Sequence, residues 1–413
     1  MSDHVLTDTA PETVTAESVP SPRLPLVVHV LALGTFLMLT TEFVVAGILP
    51  EIAGDLNVSL GQAGSLITVF AVGMVVGAPL MTLLTIRMSK KRTLVLAMLV
   101  FVAGHVVVAL ATDLTTMMAS RFVTALATGA FWAVSAVVAS NAAGPASGTR
   151  AVGVVAAGGS LATVLGVPIG AMLAQHVGWR GTFWALAVAA SIAVVFIARL
   201  VPEDRPRQGV ATVRSELSDL RSGRLWLVLA ACATTTGGVL AAYSFIAPVL
   251  VDQAGVSPSS VPLVLTGFGV GSFVGTLIGG RLGDARPHLV TVVIPVVTAV
   301  VLAAMALLAG STTATVVLVV LLGLFGLSAN SVLIHLAVRF AGRAATLGSG
   351  LAVAAFNAGT ALGTTIAGAT LTSPLGLTGP AVVGAVIVAL TLAPTTALAV
   401  RGRHRRTSEP LTP

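Results

Sequence analysis

Runs of about 20 apolar residues, the length that crosses the hydrocarbon core of a bilayer, recur from one end of this 413-residue chain to the other. Only 9% of its residues are charged and 56% are hydrophobic, whereas a soluble domain carries roughly 25% charged residues. With a mean hydropathy of +1.01, such a chain cannot cover a water-facing surface, so its solvent is mostly lipid. Soluble globular folds and most nucleic-acid binders are excluded on that ground. The single cysteine, Cys232, makes no intrachain disulfide or zinc cluster and reads as a small buried residue.

Twelve spans are predicted, over 24–49, 63–85, 93–111, 116–140, 151–174, 182–200, 225–251, 261–282, 289–308, 313–336, 346–371 and 380–400. Placing the N-terminus in the cytoplasm puts twenty of the 22 basic residues in cytoplasmic segments. They include Arg87, Lys90, Lys91 and Arg92, the arginines of the 201–224 linker, Arg281 and Arg286, and Arg401 to Arg406. Outer loops receive only Arg180, and Arg121 falls within a span. This asymmetry is the positive-inside pattern and places both termini in the cytoplasm. It also accounts for the pI near 11.1, since the basic stripe faces anionic lipid. No nucleic-acid partner is expected.

Residues 1–23 are acidic and rich in Ser, Thr and Pro, unlike a signal peptide, and read as a disordered cytoplasmic tail. Residues 24–200 form a first six-helix bundle and 225–400 a second. The polar, Pro-containing segment 201–224 joins them as a linker, and 401–413 is a basic cytoplasmic tail. FAVGMVVGA (70–78) returns as FGVGSFVGT (268–276), so Phe70, Val72, Gly73, Val76 and Gly77 recur at an offset of 198. The second bundle therefore repeats the first in the same orientation, as in parallel-repeat transporters. The paired glycines form small-xxx-small faces that allow close helix packing.

These features resemble the major facilitator superfamily in its drug:proton antiporter branch. In GAPLMTLLTIRMSKKRTL (77–94), Gly77 and the basic residues Arg87, Lys90, Lys91 and Arg92 fit the family's inner gating loop, although Ile86 stands where an Asp is expected. GGRLGDARP (279–287) repeats that loop with Gly280, Arg281 and Asp284. Arg121 and Gly129 fit the fourth-span pattern. In the fifth span, Gly158, Gly159, Gly166, Pro168 and Gly170 form a relaxed version of the branch's antiporter motif. Pro168 removes a backbone hydrogen bond and is expected to kink that helix, and the glycines to pack on a partner from the other half. GWRGTFW (178–184) resembles the outer turn before span six. TEFVVAGILPEIAGDLNVS (41–59), LGVPIGAML (165–173) and AAFNAGTALG (354–363) are similar to actinobacterial chloramphenicol-resistance exporters and their arabinose-efflux-permease-like relatives. The resemblance implies an all-α membrane protein with twelve helices in two bundles. It also implies a multi-pass place in the bacterial cytoplasmic membrane, an amphiphilic small-molecule drug and protons as partners, no cofactor beyond the proton gradient, no metal, and a monomer.

Glu42 is the one acid well inside a span, where a charge costs roughly 2.5–3.5 kcal/mol. It lies ~12 Å below the outer end of span one, and Arg121 ~10 Å below the same face on span four. The family lines its central cavity with both spans, so Glu42 and Arg121 are expected to face each other, directly or through water or substrate. Burial disfavours a charged carboxylate and a neighbouring guanidinium favours it. A carboxyl balanced between the two can bind and release protons. His105 is a weaker relay candidate that more simply reads as a packing residue. Asn330, Asn357 and Tyr243 are candidate hydrogen-bonding partners for substrate, and Phe131, Trp132 and Phe245 candidate stacking partners. The expected activity is proton-coupled efflux of chloramphenicol or a related amphenicol. The alternative keeps the fold and exports sugars, nucleosides or other drugs. No HExxH, Walker A or Ser-His-Asp pattern points to an enzyme or to ATP.

Overall fold

A computed structural model describes residues 24–85, 88–144, 147–203, 222–342 and 345–407. Residues 1–23, most of the linker and Arg87 lie outside the described residues, as do Arg205, Arg207, Arg214, Arg221, Arg343 and the side chain of Asp284. Among the described residues there are no strands, and twelve helical segments are long and apolar enough to cross a membrane. They are α1 (Leu26–Gly47), α2 (Leu60–Met81), α3 (Lys90–Leu110), α4 (Leu114–Ala143), α5 (Gly148–Val177) and α6 (Trp179–Leu200). The second bundle contains α7 (Gly223–Tyr243), α8 (Pro258–Gly283), α9 (Leu289–Leu307), α10 (Thr312–Phe340), α11 (Leu347–Thr370) and α12 (Gly376–Val400).

Local chemistry sets several boundaries that hydropathy leaves open. Ser59 and Gln62 form a reciprocal capping box, with Ser59 N–H donating to Gln62 Oε1 at 2.9 Å and Gln62 N–H to Ser59 Oγ at 3.2 Å. This starts α2 at Leu60, three residues before the expected 63. Asp113 caps α4 by accepting from Thr116 N–H at 2.8 Å. The predicted seventh span, 225–251, is not one helix. It stops at Tyr243 and continues as a short helix Ile246–Pro248 and a π-helical turn Val249–Gln253, because Pro248 has no N–H for a regular ladder. The predicted tenth span breaks between Gly326 and Asn330. There Ser328 N–H and Asn330 N–H close tight turns on the Phe325 and Leu327 carbonyls. In α5 a π-helical turn covers Ala162–Gly166. Pro168 lacks the N–H that would bond to Val164, so the ladder widens one turn earlier.

The repeat is visible as packing. Gly73 of α2 lies against α4, where an added Cβ would come within 2.6 Å of Ala125 Cβ. Gly271 of α8 lies against α10, where the same atom would come within 2.6 Å of the Val320 carbonyl oxygen. Gly77 and Gly275 continue these faces against Leu126 and Leu324. The partners Leu126 and Leu324 obey the same 198-residue offset as the glycines, as do Phe122, whose carbonyl also lies against Gly73, and Val320. Gly158, Gly159, Gly166 and Gly170 of α5 approach Ala32, Leu39, Thr40 and Val44 of α1, within one bundle. This differs from the expected packing on the other half. The α5 contact to the second bundle instead uses Gly269 of α8, which lies against the Thr163 carbonyl.

Burial divides the molecule unevenly. Remote from the termini, one apolar core runs through both bundles, from Val44, Ile48, Ile67 and Phe183 to Phe245, Leu265, Leu302 and Ala367. Towards the terminal face there are two separate cores. One is built around Leu31, Phe101, Phe131 and Ile197, the other around Leu229, Ile294, Leu333 and Phe356. The joined half is sealed by a Thr68–Thr364 hydroxyl bond of 2.8 Å, by Gln175 Nε2 donating to the Pro258 carbonyl at 2.6 Å, and by Phe245 against Gly64. The bundles therefore meet across the face remote from the termini.

GWRGTFW ties the loops on that joined face. Gly178 takes φ +77°, a turn that favours glycine. Arg180 pairs with Asp55, donates Nη2–H to the Ala111 carbonyl at 3.0 Å, and lies over the Trp179 ring. The bond from Arg180 holds the Asp55 carboxyl below its ordinary range.

Three outcomes follow from these contacts. Gly271→Leu should lower stability by about 3 kcal/mol, because the added carbons meet backbone that cannot turn aside. Gly153→Ala, at an open position, should leave melting in detergent nearly unchanged. A depressed carboxylate stabilises above its unfolded pKa, and that contribution is lost as pH falls through the folded value. The melting-temperature gap between wild type and Asp55→Asn should thus be present at neutral pH and shrink below about pH 4. A gap constant with pH would contradict the pairing.

Candidate functional site

The site is built on the outer half of α1. Successive residues there face different neighbours, as a 100° step requires. Thr40 meets Gly166 of α5, Thr41 meets α3 and α4, and Phe43 meets Tyr243 of α7 with ring centroids 6.3 Å apart. Glu42, between them, is half-buried. On α4, Arg121 is 1% exposed. Its Nη1 donates to both the carbonyl and the hydroxyl oxygen of Thr41, each at 2.9 Å. Its guanidinium lies 4.3 Å from the centroid of the Phe70 ring on α2, a cation–π arrangement favoured in a dry interior.

Two donors of this guanidinium, Nε and Nη2, are buried and have no hydrogen-bond partner among the described residues. Together they form the side-on edge that grips a carboxylate or another planar acceptor. Glu42 lies close enough for its charge to interact with that of Arg121. No ion pair within 4 Å joins Glu42 to Arg121, so the two stand at a longer distance. The arrangement thus places a carboxyl group near a cation whose donor edge has no partner among the described residues.

The neighbours of Arg121 were not singled out in the sequence. Thr41 is one residue before Glu42 and looks like any helical threonine. Phe70 was read for its place in the repeat. Phe70, Met74 and Ala125 form a small core against which Val353 of α11 packs, so the cluster that holds the ring beneath the guanidinium also meets the other bundle. His105 is buried, with one ring nitrogen on Thr41 Oγ1 and the other on the Phe101 carbonyl.

The remaining candidates are spread out. Phe131 is in the first bundle's core, against Gly34, and Trp132 is exposed on the next position of α4. Tyr243 is buried and stacks on Phe268 at 4.2 Å. Phe245 is sealed into the joined half against Gly64. Asn330, at the break in α10, donates to Thr236 Oγ1 at 3.4 Å, and its buried Oδ1 has no partner among the described residues. Asn357 donates to its own helix at Val353. At the loop sites, Gly77 packs on Leu126, Lys90 and Lys91 are half-buried in the first turn of α3, Arg92 is exposed there, and Gly280 and Arg281 lie at the end of α8. On the joined face a cavity of about 280 Å³ opens between the bundles, lined by Glu51, Gln175 and Asp252 among others. Burial raises the Glu51 carboxyl above its ordinary value.

Comparisons with known proteins agree with this architecture. The sequence matches the description of the Major Facilitator Superfamily over residues 31–257 and 229–413. It is 36% identical to a chloramphenicol resistance protein of Streptomyces lividans, over 89% of this chain and 95% of that protein. It is 33% identical to the inner membrane transport protein YdhP of Escherichia coli K12, over 88% and 93% of the two chains. The fold matches the crystal structure of a bacterial homologue of the human lysosomal transporter Spinster, in an inward-facing and unoccupied conformation. The TM-score is 0.74 with 15% identity, over 90% of this chain and 96% of that one. A chain with this fold, this repeat and these relatives belongs to the major facilitator superfamily of membrane transporters.

Proposed function

We propose that this transporter exports chloramphenicol or a related amphenicol across the bacterial cytoplasmic membrane in exchange for protons, with both termini in the cytoplasm. The observation that carries the exchange is the buried Arg121, with its side-on edge empty and Glu42 at hand. The cargo rests on the 36%-identical chloramphenicol resistance protein.

The cycle follows from charge. With the bundles joined on the outer side and their cores separate on the inner side, Glu42 releases its proton towards the cytoplasm. The drug's polar groups then bind the Glu42 carboxylate and the free edge of Arg121 together, so drug and proton compete for Glu42. Drug binding requires the deprotonated site, and reprotonation from outside, after the bundles rock, expels the drug. Mutual exclusion couples the two fluxes, so a proton enters as a drug leaves. A ligand can bias the rocking only through contacts that differ between the two states. The cluster around Phe70 is placed to supply one, since Arg121 lies over its ring and Val353 of the second bundle packs against the cluster.

Labelled chloramphenicol accumulation in a susceptible bacterium tests this. Cells expressing the protein should hold several-fold less drug than vector controls. Protonophore or Glu42→Gln should remove most of that difference, since an amide of equal size cannot take up and release the proton. Accumulation equal to the vector control, with the protein present in the membrane, would overturn the cargo. Export that persists in Glu42→Gln would overturn the coupling role.

A further inference from the structure

His105 is the third member of a directed hydrogen-bond chain that reaches the Arg121 cation. Its two ring nitrogens lie 2.7 Å from the Phe101 carbonyl oxygen (Nδ1) and 2.7 Å from Thr41 Oγ1 (Nε2). A carbonyl oxygen can only accept, so Nδ1 carries the proton. In a neutral ring Nε2 is then an acceptor, and the Thr41 hydroxyl must donate to it. With that proton committed, the lone pairs of Thr41 Oγ1 are left for Arg121 Nη1.

Other buried threonines nearby behave differently. Thr35, Thr40, Thr124 and Thr128 each donate to the carbonyl four residues back in their own helix, the usual outlet for such a hydroxyl. Thr41 bonds to His105 instead. The ring that diverts it is itself held in place. It stacks on Phe101 with centroids 3.9 Å apart and lies 5.8 Å from Phe183. Ser120 Oγ donates to the Gly104 carbonyl at 2.8 Å, clamping α3 to α4 beside it.

We propose that His105 is a positioning residue that, through Thr41, holds the Arg121 guanidinium in register with Glu42 so that its side-on edge stays free for exchange. This rests on the antiport reading of the site. The histidine need not carry a proton in the cycle. Its task is to fix the direction of one hydroxyl. Without it, Thr41 turns back to its own helix, Arg121 loses half of its cradle, and the guanidinium is released to close on Glu42.

The test compares His105→Leu, His105→Gln, Thr41→Val and Thr41→Ser in inside-out vesicles, following chloramphenicol uptake driven by an imposed pH gradient. Glutamine can place an amide oxygen where Nε2 stands, and serine keeps the hydroxyl. His105→Leu and Thr41→Val should lower gradient-driven uptake about tenfold, while His105→Gln and Thr41→Ser recover to within about twofold of wild type. Glutamine as poor as leucine, or leucine as active as wild type, would overturn the proposal. A second readout needs no cargo: nitrogen-15 NMR of histidine-labelled full-length protein in nanodiscs, with His105 assigned by its loss in His105→Gln. The Nδ1-protonated tautomer is expected, with an Nε2 resonance that moves in Thr41→Val. An Nε2-protonated ring, or a resonance indifferent to Thr41→Val, would overturn the proposal. If wild-type vesicles move no chloramphenicol, the cargo reading fails and the NMR result alone decides the role of His105.

Discussion

Close approach between helix backbones is the constraint on which this structure depends. Lipid supplies no hydrophobic force to press helices together, so association rests on packing and on small residues at the contacts. Gly73 and Gly77 seat α2 on α4, and Gly271 and Gly275 seat α8 on α10. Those two pairs frame each bundle in the same way. Glycines of α5 do the same for α1. Because α1 is gripped on one side by α5, its Thr41 is pressed towards α3 and α4 on the other. The polar chemistry of the site is thus delivered by an apolar packing device.

The two halves share a scaffold but not a charge. At the repeat offset, Arg121 corresponds to Val319, a fully buried apolar residue of α10. The second bundle joins its first and fourth helices by a neutral contact from Asn330 to Thr236 and, at the helix ends, by Arg224 lying over the Phe340 ring. A buried cation is costly unless its donors are satisfied, so having one in a single bundle confines the expense to the place where it has a use. Among the described residues the buried cation thus lies in the first bundle alone, and the second presents an apolar residue at the matching place.

The fold was largely legible in the sequence because lipid is a simple solvent: span length, basic loops and glycine spacing each report one physical requirement. The 70–78 and 268–276 repeat was readable for the same reason, since only glycine allows those approaches. The breaks at Ser244 and Ser328 were not, because hydropathy is blind to an interruption inside an apolar run. The site was half legible. Glu42 and Arg121 stood out as isolated charges in spans. Thr41 and Phe70 did not, and His105 showed only as a weaker relay candidate, because threonine, phenylalanine and histidine have routine uses in any bundle and their roles here depend on which way each helix faces. Direction is also what misled the reading of the α5 glycines, which serve α1 and not the opposite bundle.

The uneven division of the apolar core has a thermodynamic consequence. Parting the joined half would bring residues such as Phe245, Leu265 and Ile67 towards water. Exposure of apolar surface raises heat capacity. The conformational equilibrium of this transporter should then curve with temperature as protein stability does, with the joined state favoured by an entropic term that weakens on cooling. A seam built from the same material as a folding core makes the transport cycle resemble, on a small scale, a partial unfolding that is reversed once per turnover.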